Sequence, residues 1–227
     1  MSALEILFED RDLVVVFKPA GRPVHPSPGH ETFSLTEELI KTRPEMSAVG
    51  SAARPGVVHR LDIETSGVMV FAKTPRAYTA LRADFESHHE IEKTYLAVVH
   101  GVPTPKRGTL ETTIGRKAWD ARRMAVNVPD GARAVTHWTV MGTKAGVSLV
   151  EFKIETGRTH QIRVHAAHLG CPIVGDALYG DAAKDRHLRV RPKRLLLHAV
   201  ALAFKHPLTH KPLRFIAPPP SDIVYAI

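Results

Sequence analysis

The chain has 227 residues, enough to bury a full core in one large domain. At 44 % hydrophobic and 24 % charged residues it has the composition of a folded globular protein, which excludes a disordered or fibrous one. Its 31 Lys and Arg against 23 Asp and Glu leave a net charge of +8, an excess that suits a polyanionic partner, nucleic acid before membrane. Cys171 is the single cysteine, so no disulfide framework exists within the chain, which suits a reducing compartment. The N-terminus, Met-Ser-Ala-Leu-Glu-Ile, lacks the basic and apolar regions of a secretory signal. No apolar run approaches the ~18 residues of a membrane span. A cytoplasmic protein without a membrane partner is expected.

Residues 4–8 and 13–17 read as two short strands around the turn-prone Glu9-Asp10-Arg11-Asp12. Residues 19–29, rich in Pro and Gly, read as a loop; Arg22, His25 and His30 lie in or beside it. Ser34-Leu35-Thr36-Glu37 has capping-box spacing and predicts a helix to about Lys41. Residues 42–56 read as a second loop, closed by Arg54-Pro55-Gly56. The apolar run 68–72, between Gly67 and Pro75, reads as a buried strand. Thr74-Pro75 supplies an N-cap and a first-turn proline for a helix to about Glu86. Residues 94–99 and 109–114 read as strands, 115–123 as a basic irregular segment, and 134–141 with 146–156 as a hairpin pair. A further helix follows Thr156-Gly157-Arg158, with Thr159 as its cap and Gly170 and Pro172 as its end. Its Ile162, Ala166 and Leu169 share a face. Residues 175–181 read as a loop and 184–194 as a strongly basic run. Residues 195–204 and 213–217 read as paired closing strands. Strands dominate and helices do not alternate with them, so the expected class is α+β, with a mixed, mostly antiparallel sheet and a few short helices. No linker divides the chain, so residues 1–227 are expected to form a single domain.

Several chemistries lack their motif. There is no Gly-x-x-x-x-Gly-Lys-Ser/Thr, no Gly-x-Gly-x-x-Gly after a strand and no Gly-x-Ser-x-Gly. The 14 histidines raise a metal site, but His160 and His165 point apart on their helix. His165 and His168 share a face without any accompanying Cys or carboxylate pattern. No metal is expected.

Three polar clusters carry the functional signal. The first is His59-Arg60-Leu61-Asp62 with Thr65-Ser66-Gly67, on a short loop that feeds the buried strand. A rigid element behind such a loop fixes a reactive side chain. Read alone, Asp62 would be taken for a turn cap paired with Arg60. The second cluster is Glu92-Lys93-Thr94-Tyr95-Leu96-Ala97-Val98-Val99-His100-Gly101. The third is Gly157-Arg158-Thr159-His160-Gln161-Ile162-Arg163-Val164-His165, followed by Leu169-Gly170, Pro172-Ile173 and Gly175-Asp176.

Together these clusters resemble the RluA family of RNA pseudouridine synthases, over residues 5–217. Lys18-Pro19, Arg54-Pro55-Gly56-Val57-Val58 and Arg122-Arg123-Met124-Ala125-Val126 agree with the family. Phe17 stands where the family commonly has Asn, and Gly131-Ala132-Arg133 where it often has Gly-Lys. The resemblance implies the pseudouridine synthase catalytic fold with a central RNA-binding cleft, here without the N-terminal alpha-L RNA-binding domain of many relatives. It implies a monomer that needs no cofactor and isomerises uridine to pseudouridine in ribosomal or transfer RNA. The extended match at residues 54–62 favours ribosomal RNA.

The resemblance also assigns roles. Asp62 matches the catalytic aspartate. Burial in an uracil pocket would raise its pKa and quench it, unless a cation within ~4–6 Å lowers it by ~1–3 units. Arg163 matches that cation; by itself it would read as a surface helix residue. Tyr95 matches the tyrosine that stacks on the base, and alone would read as a half-buried strand residue. Arg60 is the candidate to fill the gap left by a flipped nucleotide, against the alternative of a salt bridge to Asp62 or Glu64. Arg122, Arg123, Arg158, His160, Arg189, Arg191 and Arg194 are candidate RNA contacts, or else a solvated basic face. Two other readings remain: a non-catalytic RNA-binding protein on the same fold, and a nucleosidase-like hydrolase using Asp62 with Glu64 as the second carboxylate.

Overall fold

The computed structural model describes residues 4–26, 33–87 and 90–226. The strands are β1 (Ile6–Glu9), β2 (Leu13–Lys18), β3 (Gly50–Ser51), β4 (Arg54–Pro55), β5 (Ser66–Ala72), β6 (Glu92–His100), β7 (Arg107–Lys117), β8 (Asp120–Val126), β9 (Ala132–Lys144), β10 (Val147–Ile154), β11 (Leu197–Lys205) and β12 (Pro212–Ile216). The helices are α1 (Leu35–Thr42), α2 (Pro75–Ser87), α3 (Gln161–His168), α4 (Ala182–His187) and α5 (Ser221–Val224), with a 3-10 turn at Pro44–Ala48. The expected α+β class holds. By chain contacts the protein divides into two compact units, Met1–Glu92 with Ala199–Ala217, and Lys93–His198 with Pro218–Ile227.

In the first unit β2 pairs antiparallel with β1 and β5, and β11 with β12. β5 is buried along its whole length. Its Val68, Val70 and Ala72 join Leu13, Val15, Leu81, Phe85, Leu202 and Phe204 in one core. Alternate strand residues supply that face, and the apolar residues of α2 cover it. The capping box of α1 is present: Glu37 N–H donates to Ser34 Oγ, and Ser34 N–H to Glu37 Oε2 at 2.8 Å. Thr74 Oγ1 accepts from Ala77 N–H at the start of α2. Residues 42–56 are more ordered than a loop. They fold into the 3-10 turn and the β3–β4 pair, which turns at Ala52-Ala53; Gly50, at φ +78, lets the chain pass from the 3-10 turn into β3. The expected loop at residues 19–29 is described only to residue 26; its remainder and His30 lie outside the described residues.

In the second unit the strand order is β6-β10-β9-β7-β8, with antiparallel registers between β6 and β10, β10 and β9, β9 and β7, and β7 and β8. Val98, Val147, Val174, Leu196 and Ile223 form a core cluster. Residues 115–123 are not irregular. They complete β7, turn at Ala118-Trp119 and open β8. Basic residues hide a strand from a composition reading, and an edge strand such as β8 carries them readily. The start of α3 also differs from expectation. The cap position is His160, in the left-handed region at φ 55, and Thr159 does not cap. No side chain caps α3; the buried Gln161 instead braces the segment before it, its Oε1 accepting from Arg158 N–H and the Thr156 hydroxyl. α3 is buried through its first two turns rather than on one face.

Gly67 tests the packing of β5. Its φ is +130, and a Cβ there would lie 2.2 Å from Ala199 O and 2.6 Å from Ala199 N. Backbone of β11 cannot give way as a side chain would. Gly67→Ala is expected to cost about 3 kcal/mol or more in urea unfolding. Gly142→Ala, with nothing within 4 Å of the added Cβ, should stay near wild type.

Candidate active site

In the first unit, Asp62 occupies a turn between the buried Leu61 and β5 and is partly exposed. Its carbonyl accepts from Thr65 N–H at 3.0 Å, closing a four-residue turn. Behind that turn lies Lys18, with no exposed surface. Its ammonium donates to the carbonyls of Ile63 and Thr65, both at 2.7 Å, and of Pro19 at 3.0 Å. A lysine has three donors, and these three carbonyls match that number. The Ile63 carbonyl also accepts from Gly21 N–H at 2.9 Å. Upstream, His59 Nε2 accepts from Val70 N–H at 3.1 Å, and the ring stacks on Phe85 with centroids 4.5 Å apart. The Asp62 backbone is therefore fixed from both sides by core elements. Arg60, next to it, is exposed and forms no ion pair among the described residues, so the salt bridge to Asp62 or Glu64 is not formed.

In the second unit, Arg163 is 8 % exposed on α3. Its Nε and Nη2 donate to the two oxygens of Asp176, each at 2.7 Å, a planar fork-to-fork pair. Burial alone would raise the Asp176 carboxyl; Arg163 and the N–H groups of Tyr179 and Leu178 outweigh it and hold it below its ordinary range. The Arg163 guanidinium also lies 5.2 Å from the centroid of the Tyr179 ring. The Tyr179 hydroxyl accepts from Met124 N–H at 2.7 Å and is 2.9 Å from His160 Nδ1. Asp176 and Tyr179 had no role assigned from sequence. Gly175-Asp176 was visible as part of a motif, but its pairing with Arg163 was not.

Tyr95 lies on β6, 9 % exposed and opposite Phe152 of β10. Lys93 is two residues away and so on the same strand face. Burial, with Arg158 adding to it, lowers Lys93 to about 8, and its Nζ donates to Glu155 O at 3.1 Å.

The remaining candidate contacts fall into two groups. Arg122, Arg189 and Arg191 are exposed, Arg122 with its Nε 3.4 Å from Asp120 Oδ1. Others are partly committed within the second unit. Arg158 Nε donates to Arg133 O at 2.9 Å, and Arg123 lies 3.4 Å from Asp120. Arg194 forks onto Asp222 at 2.6 and 2.7 Å and donates to Leu195 O, which ties down α5.

The histidines raised as metal ligands have other tasks. Both ring nitrogens of the fully buried His165 face hydroxyls, Thr112 Oγ1 at 2.9 Å and Thr136 Oγ1 at 2.8 Å. Among the described residues, Asp10, Asp12 and His206 bring possible ligand atoms within 4.8 Å of one another. These groups cap a turn: Asp10 Oδ1 accepts from Asp12 and Leu13 N–H, and His206 Nδ1 from Leu208 and Thr209 N–H. No helix of the described chain is long and apolar enough to cross a membrane.

A family model described as RNA pseudouridylate synthase matches residues 12–168, which include Asp62, Tyr95 and Arg163. An uncharacterized RNA pseudouridine synthase of Chloroflexus aurantiacus is 46 % identical over 91 % of this chain, which spans 63 % of that relative's length. The ribosomal large subunit pseudouridine synthase D of Zymomonas mobilis is 41 % identical over 97 % of this chain and 70 % of its own. The structure of human RNA pseudouridylate synthase domain containing 4 superposes with a TM-score of 0.77 at 30 % identity, covering 98 % of this chain and 91 % of that one. The chain belongs to the RNA pseudouridylate synthase family.

Burial pushes His165 down to about 4, with the nearby His168 adding to the effect. Between that value and the ordinary ~6.5 the unfolded chain binds a proton that the folded chain refuses. Stability from this group is complete above pH ~6.5 and is lost as the pH falls towards 4, by about 3 kcal/mol. Urea unfolding from pH 7 to 4 should show this loss, and His165→Gln should flatten that part of the profile while lowering stability at pH 7.

Proposed function

We propose that this protein isomerises uridine to pseudouridine in large-subunit ribosomal RNA, with Asp62 as the catalytic carboxylate. The observation that carries the reading is the Asp62 turn, held by the buried Lys18 ammonium inside the segment matched by the family model. A carboxylate that must act on one glycosidic bond needs a fixed backbone, and this turn has one. In the reaction the bond from ribose to the base nitrogen breaks and a bond from ribose to carbon 5 forms. The nitrogen gains a proton and carbon 5 loses one, so the atoms balance within the uridine. Tyr95 stacks on the uracil and assists removal of the carbon 5 proton. Arg163 supplies the positive charge of the chemistry, oriented by its fork onto Asp176. Arg60, exposed beside Asp62, fills the place of the flipped base. The choice of ribosomal RNA is supported by the Zymomonas relative, whose name specifies the large ribosomal subunit. The protein works as a cytoplasmic monomer, a placement supported by its single cysteine, Cys171.

Pseudouridine mapping in RNA from a strain lacking the protein tests the substrate: a uridine left unmodified in large-subunit ribosomal RNA is the expected result. A change confined to transfer RNA would overturn the assignment.

Asp62→Asn keeps the side chain's size and removes its charge. Single-turnover pseudouridine formation should vanish while RNA binding persists, because phosphate contacts elsewhere supply most of the affinity. Appreciable turnover, with reversion to Asp excluded by mass spectrometry, would defeat the assignment.

Arg163→Lys keeps the charge but loses one arm of the fork onto Asp176. A folded protein with turnover reduced at least ~100-fold is expected, since misplacing a group by about 1 Å costs that much. Near-normal turnover would remove Arg163 from the chemistry.

A further inference from the structure

The β7–β8 hairpin ends in a side chain that the fold does not use. Trp119 is 92 % exposed, in the two-residue turn Ala118-Trp119. Neither residue is of a type that favours a tight hairpin turn, so local backbone preference does not account for the indole. Among the described residues it stacks on no ring and lies under no cation. The other tryptophan, Trp138, shows the contrast: it is 6 % exposed and its indole N–H donates to Pro105 O at 3.0 Å.

The sequence around Trp119 is cationic. Arg116 and Lys117 precede it and Arg122 and Arg123 follow, against the single carboxylate of Asp120. The register breaks between Arg116, opposite Met124, and Lys117, opposite Asp120. Such a bulge re-aims the side chains it contains, here those of Arg122 and Arg123. The base of the hairpin is held firmly. Met124 N–H donates to the Tyr179 hydroxyl, and Asn127 N–H to Thr113 O at 2.7 Å. The result is an exposed aromatic ring at the tip of an anchored arm, with four cationic residues within four positions of it in the sequence, two of which, Arg122 and Arg123, lie 3.4 Å from Asp120. Base stacking needs a flat ring open to solvent, and the phosphates on either side of the base need cations. A protein partner would be met by an apolar patch around the ring, whereas the neighbours of Trp119 are charged.

We propose that Trp119 is a stacking platform for an unpaired nucleobase of the RNA substrate, apart from the target uridine, with Lys117 and Arg122 on the flanking phosphates. The inference rests on the RNA-modifying reading above and adds a contact that governs how the RNA is held.

The test uses the full chain and a large-subunit ribosomal RNA fragment containing a uridine that the wild-type protein converts. Emission from the exposed Trp119 should be quenched as RNA is added. Trp119→Ala should raise Kd about 5- to 150-fold, equivalent to ~1–3 kcal/mol for one stacked base. Trp119→Phe should recover most of that loss. The salt dependence of Trp119→Ala should keep the wild-type slope, because no phosphate contact is removed, whereas Lys117→Ala with Arg122→Ala should flatten it. Unquenched emission together with wild-type Kd in Trp119→Ala would overturn the inference while leaving the enzyme reading intact. Loss of a protein–protein association in Trp119→Ala, with RNA affinity unchanged, would also overturn it. Failure of the wild-type protein to form pseudouridine in any RNA would defeat the reading on which it rests.

Discussion

A buried ammonium holds the Asp62 turn. Lys18 has no exposed surface, and a cation in that position is tolerated only if its donors are satisfied. The satisfaction comes from main-chain carbonyls at Pro19, Ile63 and Thr65. The ammonium thus joins carbonyls on both sides of the turn, so the lysine and the turn stabilise one another. Lys18 ends β2, and Ser66 and Gly67 begin the neighbouring β5. The Asp62 turn is thereby tied to two adjacent core strands. The close approach of Gly67 to Ala199 fixes the same strand from its other side.

The second unit uses a parallel device with the charges reversed. Asp176 is a buried carboxylate satisfied by the Arg163 fork and by two N–H groups. One fork-to-fork pair fixes both the position and the plane of the guanidinium. Tyr179 extends that order outwards. Its ring lies against Arg163 and its hydroxyl accepts from Met124 in β8. The arm that carries Trp119 is thus connected to the same hydrogen-bonded group as Arg163.

Local signals were legible in the sequence. The Ser34 capping box, the Thr74-Pro75 helix start, the apolar run of β5 and the β9–β10 hairpin need only neighbouring residues to recognise. The positions of Asp62, Tyr95 and Arg163 were legible through long motifs. What could not be read depends on distant partners. Lys18 meets carbonyls 45 and 47 residues away, and a carbonyl leaves no mark in a sequence. Arg163 meets Asp176 across 13 residues, with α3 and a turn between them. The cap of α3 is His160 rather than Thr159, and the first helical residue, Gln161, is tied by its side chain to Val135 O and Thr136 Oγ1 of β9, 26 and 25 residues away. The 115–123 segment was obscured by its own charge. Its strand character comes from the pairing of β7 with β8 across the Ala118-Trp119 turn and from the edge position of β8, neither of which composition records.

The central claim is that the Asp62 turn serves an isomerisation and not a hydrolysis or simple binding. Product analysis on RNA labelled with tritium at uracil carbon 5 addresses it most directly. The RNA should be large-subunit ribosomal RNA from a strain lacking the protein. The account predicts tritium released to water in step with a nucleoside of the mass of unlabelled uridine, its base joined to ribose through carbon. Free uracil that keeps its tritium, or RNA bound but chemically unchanged, would contradict it.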